Sequence, residues 1–482
     1  MEDLARASLP TMAARNSAVV ERPGPSPERP GEPPAGRQAW LGLRTPVRRA
    51  QWAAAALVVL ATCLQQPASV FYADASTYWN ATMAILQGGD LHAAGRLELR
   101  GIATSFLYLP AGVVVTLAGG AGAAFAVMVQ NALLLAGTGA FLLPRFVGIW
   151  RPVTPRLVWA CALGTGLLLA GFAPIPLTDV WAASLLLAAT IALHGRRWQH
   201  LLVAGAAAGL AFNLRPAVLL PVAGVVIAVL VARRISGLWF LAGAAAALLP
   251  QSLYNLARGT SWLPWPEETF GLSGRQAHWA SFTVRYDTLV TPDSVAPLFY
   301  CSPSMAQAVE DAPPTSGGGL VAAFLSHPVE ASVLSAQKVA AALHWGLAVP
   351  YSDEAPGVNA LIAVLVTAVA VTGAAVGLHA VVTRGLRVLS LAQVAALLVW
   401  VGTLLSLLSA APESRFALVL VLIGIAGCAA LVADGLHTPR DRAGWVRSGF
   451  LVVAVLAVFA VGVTGLQHPV EGRATVQDCA RA

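Results

Sequence analysis

The segment 358–410 reads VNALIAVLVTAVAVTGAAVGLHAVVTRGLRVLSLAQVAALLVWVGTLLSLLSA and consists of two apolar runs, 358–380 and 388–410, joined by a short basic stretch. A helix needs about 20 apolar residues to cross a bilayer, and each run reaches that length. Between them, Arg384 and Arg387 mark a cytoplasmic loop, because loops on that side of a membrane collect positive charge. The segment therefore predicts a helical membrane protein.

The composition of the whole chain agrees with this prediction. Hydrophobic residues make up 57% of the 482 residues and charged residues only 11%, whereas soluble domains carry about 25% charged residues. The net charge of +7 lies in short clusters between apolar runs, so it indicates membrane topology and no nucleic acid partner. Nine further runs of spanning or near-spanning length lie at 51–66, 121–143, 157–173, 179–194, 201–213, 216–232, 236–250, 415–434 and 449–466.

The basic clusters also orient the runs. They agree with one another only if an additional run at 103–119, interrupted by Pro110, enters and leaves from the outer side without crossing. The sequence then predicts an all-α polytopic protein with eleven spans and a cytoplasmic N-terminus. Its predicted parts are a disordered cytoplasmic tail at 1–47, a membrane domain at 48–466 with outer loops at 66–120 and 251–357, and an outer tail at 467–482.

Two outer segments contain features of their own. The loop 251–357 is predicted to hold a helix from Leu320 to Trp345. Cys301 and Cys479 both fall in polar outer segments and could pair in an oxidising compartment, although the sequence leaves the pairing open. The cysteines show no metal-ligand spacing, and the other three lie inside apolar runs.

The first outer loop carries the candidate catalytic carboxylate. Asp74, Tyr78, Ala81 and Ile85 share one face at helical spacing, which predicts an amphipathic helix along the membrane that begins at Asp74. A helix cap is the alternative role for Asp74, since capping needs only a side-chain oxygen in the first turn. Asp90 follows two glycines and is predicted to be a turn residue.

This loop resembles the first outer loop of GT-C superfamily glycosyltransferases. The resemblance is carried by Asp74, Tyr78, Ala84, Leu86, Gly88-Gly89-Asp90, Arg100 and Leu107-Tyr108-Leu109-Pro110. Members, among them protein mannosyltransferases, aminoarabinose transferases and actinobacterial arabinosyltransferases, are polytopic enzymes that take sugars from polyprenyl-phosphate donors. The resemblance implies that Asp74 is the catalytic base. Many members carry a second acid where this chain has Ala75, so a need for a divalent metal stays open.

Four later segments extend the resemblance in the expected order. Ala173–Asp179 is similar to the second acidic position of the family, GLAFNLRPAVLLP at 209–221 to its run ending in a basic residue and proline, 327–353 to its outer helix with a central Lys338, and PESRF at 412–416 to its late loop. The resemblance implies site roles for Asp179, Arg215, Lys338 and Arg415. A favourable position at a helix N-terminus is a complete alternative explanation for Asp179.

The chemistry of these residues suits sugar transfer. A positioned carboxylate takes the proton from an acceptor hydroxyl, which is otherwise a poor nucleophile. Arg100, Arg215 and Arg415 fall at outer membrane edges in the predicted topology, where bidentate guanidinium groups stabilise a departing phosphate. Snorkelling from a helix end is the alternative for each arginine. Tyr78 is expected either to stack against a sugar or to anchor the helix at the interface.

The sequence thus favours an inverting glycosyltransferase that moves a sugar from a polyprenyl-phosphate donor to an envelope glycan, lipid or protein. The composition is rich in arginine and alanine, with Lys338 as the single lysine, which is typical of a GC-rich bacterial genome. It implies the plasma membrane of a bacterium, and the reaction is expected at the outer face of that membrane. A transporter or flippase is the main alternative, but transporters usually place ionisable groups near the bilayer centre, whereas the acids here lie at the edges. A catalytically silent scaffold of the same fold is a third.

Overall fold

The computed structural model describes residues 45–68, 70–195, 197–290, 295–345, 350–351, 356–435, 442–472 and 474–482. The predicted tail at 1–47 lies outside this range up to residue 44, and the first helix begins at Thr45. The described residues form twenty-one α-helices in total and one small sheet.

All eleven apolar runs form helices, as the sequence predicts. In the run 121–143, the π-helical turn Gly137–Leu142 joins the helix Ala123–Ala136 to its continuation at Leu143–Gly148. The helices that carry the runs are α1 (Thr45–Cys63), α6 (Ala123–Ala136) with α7 (Leu143–Gly148), α8 (Pro155–Leu169), α9 (Asp179–Ala192), α10 (Trp198–Leu214), α11 (Leu219–Arg233), α12 (Leu238–Ala257), α17 (Pro356–Arg384), α18 (Leu391–Leu408), α19 (Leu418–Ala433) and α20 (Arg442–Gly465).

The other helices belong to the outer segments and the C-terminal tail. They are α2 (Ala73–Gln87), α3 (Leu91–Gly95), α4 (Ala103–Leu107), α5 (Leu109–Leu117), α13 (Thr269–Ala280), α14 (Pro303–Val309), α15 (Gly317–Ser326), α16 (Pro328–Leu343) and α21 (Val476–Arg481). The run at 103–119 becomes α4 and α5, which break at Tyr108. The nine residues of α5 span only about 14 Å, too short to cross a bilayer.

Seven helical stretches in the described residues are long and apolar enough to cross a membrane, or eight if the bent pair α15 and α16 counts as one span. One of the seven, 216–257, has 42 residues and would measure about 63 Å as a straight helix, twice the thickness of the hydrocarbon core. Arg234, with φ of 46°, divides it into α11 and α12. With 14 and 17 residues, α9 and α10 are shorter than the usual span. The chain therefore has the architecture of a multi-pass helical membrane protein.

The structure corrects one prediction for the segment 251–357. The single helix predicted from Leu320 to Trp345 is instead α15 and α16, which meet at an angle of 118°. Pro328 begins α16 and cannot continue the helix before it, because it lacks an N–H and its ring clashes with the preceding turn. The chain is predominantly α-helical, as predicted, and it also contains an antiparallel sheet of β1 (Thr283–Val290), β2 (Val295–Cys301) and β3 (Pro469–Glu471), in that order.

The C-terminal tail is fastened to this sheet. β3 pairs with β2 over residues 469–471, and a disulfide joins Cys301 at the end of β2 to Cys479 in α21. The pairing that the sequence left open is therefore present. Phe282, Val284 and Phe299 form the buried core between the sheet, the tail and α16.

Candidate active site

The candidate base lies in the first turn of α2. Tyr72 precedes the helix in extended conformation, and Asp74 is its first acidic residue, so the predicted helix start is confirmed. The carboxylate does not cap the helix. It accepts hydrogen bonds from the Nη2 atoms of Arg100 and Arg415, the second at 2.9 Å. Asp90, by contrast, caps α3 by accepting from the backbone of His92 and Ala93, as expected for a turn residue.

Arg415 is the centre of the site. It lies in the short 3₁₀ turn Ser414–Ala417 before α19, and its side chain is 4% exposed. Its Nε and Nη2 atoms bind both oxygens of Glu413, and Nη2 also donates to Asp74. Its Nη1 atom lies 3.7 Å from Oδ2 of Asp179. One guanidinium group therefore faces three carboxylates.

A second ion pair completes the group. Asp179 begins α9, is 3% exposed and binds Nη1 of Arg215, which follows directly after α10. The guanidinium of Arg215 lies 4.4 Å from the ring of Phe416. The N-terminus of α9 stabilises the negative charge of Asp179, and Arg215 neutralises it.

We call these six residues the ion-pair cluster: Asp74, Asp179, Glu413, Arg100, Arg215 and Arg415. Three negative and three positive charges give it a formal charge of zero. Its members come from parts of the chain as distant as α2 and the turn before α19. Buried charges in membrane proteins are costly, and they mark functional sites more often than structural ones. The structure thus brings together five predicted site residues and adds Glu413, which sequence reasoning missed although it lies within the PESRF motif.

The environment shifts two carboxyl groups in opposite directions. Burial raises the pKa of Asp74, but the charges of Arg100 and Arg415 outweigh it and lower that pKa to about 2. Burial also raises the pKa of Glu413, and its pairing with Arg415 offsets this only in part. Asp74 is therefore ionised at neutral pH but weakly basic in this conformation.

A polar network holds Arg100 in place. The backbone N–H of Ile102 donates to Gln251 of α12 at 2.7 Å, and that of Ala103 donates to Asn213 of α10 at 2.9 Å. The guanidinium of Arg100 lies 5.5 Å from the centre of the Tyr78 ring, which is 3% exposed. Asn213 lies two residues before Arg215, so a single helix end positions both arginines.

The sheet and Tyr351 support the other side of the cluster. The N–H of Tyr286 in β1 donates to the carbonyl of Pro412 at 3.0 Å, and its hydroxyl binds Glu413. Tyr351 receives the N–H of Ala75 at 3.3 Å and donates to the carbonyl of Tyr72 at 3.2 Å. These aromatic residues were not predicted, since the strand has no clear apolar alternation and Tyr351 lies in an irregular segment.

Lys338, also predicted to bind substrate, does not join the cluster. Its side chain is fully buried in α16, and Nζ donates to the carbonyls of Leu408 and Ala410 at 3.2 and 2.8 Å. It therefore satisfies carbonyl groups at the C-terminal end of α18 and just beyond it.

A metal site does not emerge from the residues that the structure describes, which contain no group of three or more His, Cys, Asp or Glu side chains able to hold an ion. A cavity of about 460 Å³ lies away from the cluster, beside the disulfide, and is lined by residues that include Ser302, Gln307, Gln337 and His468.

Comparison of the chain with models of protein families, with curated proteins and with solved structures finds no match. The functional assignment therefore depends on the ion-pair cluster and on the motif resemblance.

Proposed function

We propose that the protein is a GT-C-type glycosyltransferase of a bacterial plasma membrane, with eleven spans and a cytoplasmic N-terminus. It transfers a sugar from a polyprenyl-phosphate donor to an envelope glycan, lipid or protein at the outer face, with inversion at the anomeric carbon. The observation that supports the proposal is the placement of Asp74 between Arg100 and Arg415. A base and two phosphate-binding cations are needed at one point, and here they are in contact.

The reaction assigns a task to each group. The acceptor oxygen attacks the anomeric carbon, and the bond from that carbon to the phosphate oxygen breaks with its electron pair. Asp74 takes the acceptor proton, and the polyprenyl phosphate leaves with one additional negative charge. Arg100 and Arg415 stabilise that charge by bidentate hydrogen bonds. Asp179, paired with Arg215, faces Arg415 and helps to position its guanidinium group.

Two further predicted residues have supporting roles in the proposal. Tyr78 lies against Arg100 and keeps the guanidinium over its ring. Lys338 fixes the end of α18, from which the chain leads into the turn that bears Glu413 and Arg415. The proposal does not require a metal ion, because the guanidinium groups supply the positive charge that a metal would bring.

The test begins with the identity of the sugar. Mass spectrometry of envelope glycans, glycolipids and glycoproteins in a strain lacking the gene names the missing sugar and its acceptor. Purified protein is then assayed with that donor. Asp74→Asn should retain expression and donor binding but lose about 10²- to 10⁴-fold in transfer rate, the usual contribution of a general base.

The matched control is Asp90→Asn, which makes the same change in the same outer segment and retains the cap of α3. It should transfer at the wild-type rate. Transfer by Asp74→Asn at that same rate would show that the base is another group. Movement of lipid-linked cargo in sealed vesicles without sugar transfer would favour the transporter instead, and donor binding without turnover would favour the silent scaffold.

A further inference from the structure

Asp74 occupies the position that an anionic ligand of the two arginines would take. Its Oδ1 atom binds Arg100 and its Oδ2 atom binds Arg415, so the carboxylate bridges two guanidinium groups. A phosphodiester presents two non-bridging oxygens in a comparable arrangement, and guanidinium groups bind both kinds of anion through paired hydrogen bonds. One bridging position thus suits two different anions.

The two guanidinium groups also retain unused donors. The Nε atom of Arg100 is buried and has no hydrogen-bond partner, and the buried Nη1 atom of Arg415 makes no hydrogen bond and only a long contact of 3.7 Å to Oδ2 of Asp179. A buried donor left without an acceptor costs free energy, and an anion that bound there would remove that cost. The side chain of Arg415 is only 4% exposed, so bulk water does not supply an acceptor to it.

The charge balance makes joint occupancy unfavourable. The cluster is neutral with its three carboxylates and three arginines, so an added phosphodiester would give it a net negative charge beside Asp74. Like charges a few ångströms apart repel strongly in a site of low dielectric constant. Glu413 accepts hydrogen bonds from Arg415 with both carboxylate oxygens. These bonds keep the arginine in place when Asp74 moves away.

We propose that Asp74 is the resident occupant of an anion site formed by Arg100 and Arg415, and that the phosphodiester of a lipid-linked donor displaces it. This inference deepens the proposed function and rests on it. Released from two cations, the carboxylate becomes a stronger base only when the donor phosphate has taken its place. The reaction is then ordered, with donor binding before proton removal from the acceptor.

The experiment measures binding of a non-titrating probe, farnesyl methyl phosphodiester, to the full chain in phosphatidylcholine nanodiscs by calorimetry. Asp74→Asn should bind it about tenfold more tightly than the wild type or better, because the competing charge is gone. Asp90→Asn should bind within twofold of the wild type, since Asp90 caps α3 and does not contact either arginine. Asp74→Ala provides a second measurement should the Asn variant fail to fold.

Dimethyl phosphate, the same charge without a chain, separates two sources of the ligand. A gain in affinity confined to the farnesyl probe assigns the site to a lipid-borne phosphate, and an equal gain with dimethyl phosphate assigns it to the phosphate group alone. Either gain supports displacement. Equal or weaker binding by both Asp74 variants overturns it, even if the protein transfers sugar. Conversely, absence of sugar transfer by the wild type would overturn the glycosyltransferase proposal and leave the displacement result intact.

Discussion

Replacing Gly101 with alanine should displace Arg100 from the other residues of the ion-pair cluster. Gly101 follows Arg100 and lies directly against Asn213, so a Cβ atom there would be 2.5 Å from the Oδ1 atom of Asn213 and 2.7 Å from its carbonyl carbon, with the carbonyl oxygen nearer still. Carbon atoms in contact prefer about 3.5–4.0 Å, so the backbone of Asn213 would have to retreat by about 1 Å. Overpacking of this kind typically costs about 1–3 kcal/mol, and backbone cannot yield as a flexible side chain does.

The assay compares thermal unfolding and binding of farnesyl methyl phosphodiester in Gly101→Ala, in wild type and in Gly89→Ala. The control residue lies in the same outer segment, and a Cβ there would make only ordinary contacts of 3.5 Å with Ala84. Gly101→Ala should unfold at a lower temperature and bind the probe more weakly, whereas the control should match the wild type. Because the closest contacts include backbone, Asn213→Ala should not rescue the variant. Wild-type stability and binding in Gly101→Ala would refute the argument that this contact positions Arg100.

Three other predictions concern the cluster and the disulfide. Arg415→Lys should lower affinity for farnesyl methyl phosphodiester by about tenfold or more, because an ammonium group cannot bind Glu413 and Asp74 together; calorimetry against the exposed control Arg387→Lys checks this. Breaking the Cys301–Cys479 disulfide, which closes 178 residues of chain, should cost about 2–5 kcal/mol, so reductant should lower the unfolding temperature of wild type but not of Cys479→Ser. Arg100 and Arg415 lower the pKa of Asp74 to about 2 against the effect of burial, below the unfolded value of about 3.9. The ion pairs of Asp74 should therefore stabilise the fold above about pH 4 and lose that effect as pH falls towards 2. Thermal unfolding of Asp74→Asn should accordingly show an unfolding temperature that falls less steeply with acid than that of the wild type.

Much of the helical architecture could be predicted because hydrophobic runs report directly on membrane-length helices. All eleven runs became helices, α2 starts at Ala73, one residue before the predicted Asp74, and α9 starts at Asp179. The number of spans does not follow equally well, since α9 and α10 are short and the sequence alone does not say how far neighbouring residues extend them. The break at Pro328 was missed because the apolar pattern runs through it, although proline is a recognised stop for the helix before it.

Within the candidate site, helical spacing and the motif resemblance identified Asp74, and the resemblance identified Asp179 and Arg415. Glu413 did not stand out, because it precedes a span where an acid is an ordinary loop residue, and only its bidentate contact with Arg415 reveals its place. Tyr286 depends on a strand pairing between distant segments, which no local pattern encodes.

Stability is a weak reason for such a cluster to exist. Replacing a buried ion pair with well-packed apolar residues is often neutral or stabilising, because removing two charges from water costs as much as their attraction returns. Outside the cluster, Arg285 pairs its donors with Asp287 and the carbonyls of Ala341 and His344. The cluster around Asp74 instead leaves Nε of Arg100 without a hydrogen bond and Nη1 of Arg415 with only a long contact of 3.7 Å to Asp179. Binding an anion uses those donors, so ligand chemistry explains an arrangement that folding alone does not favour.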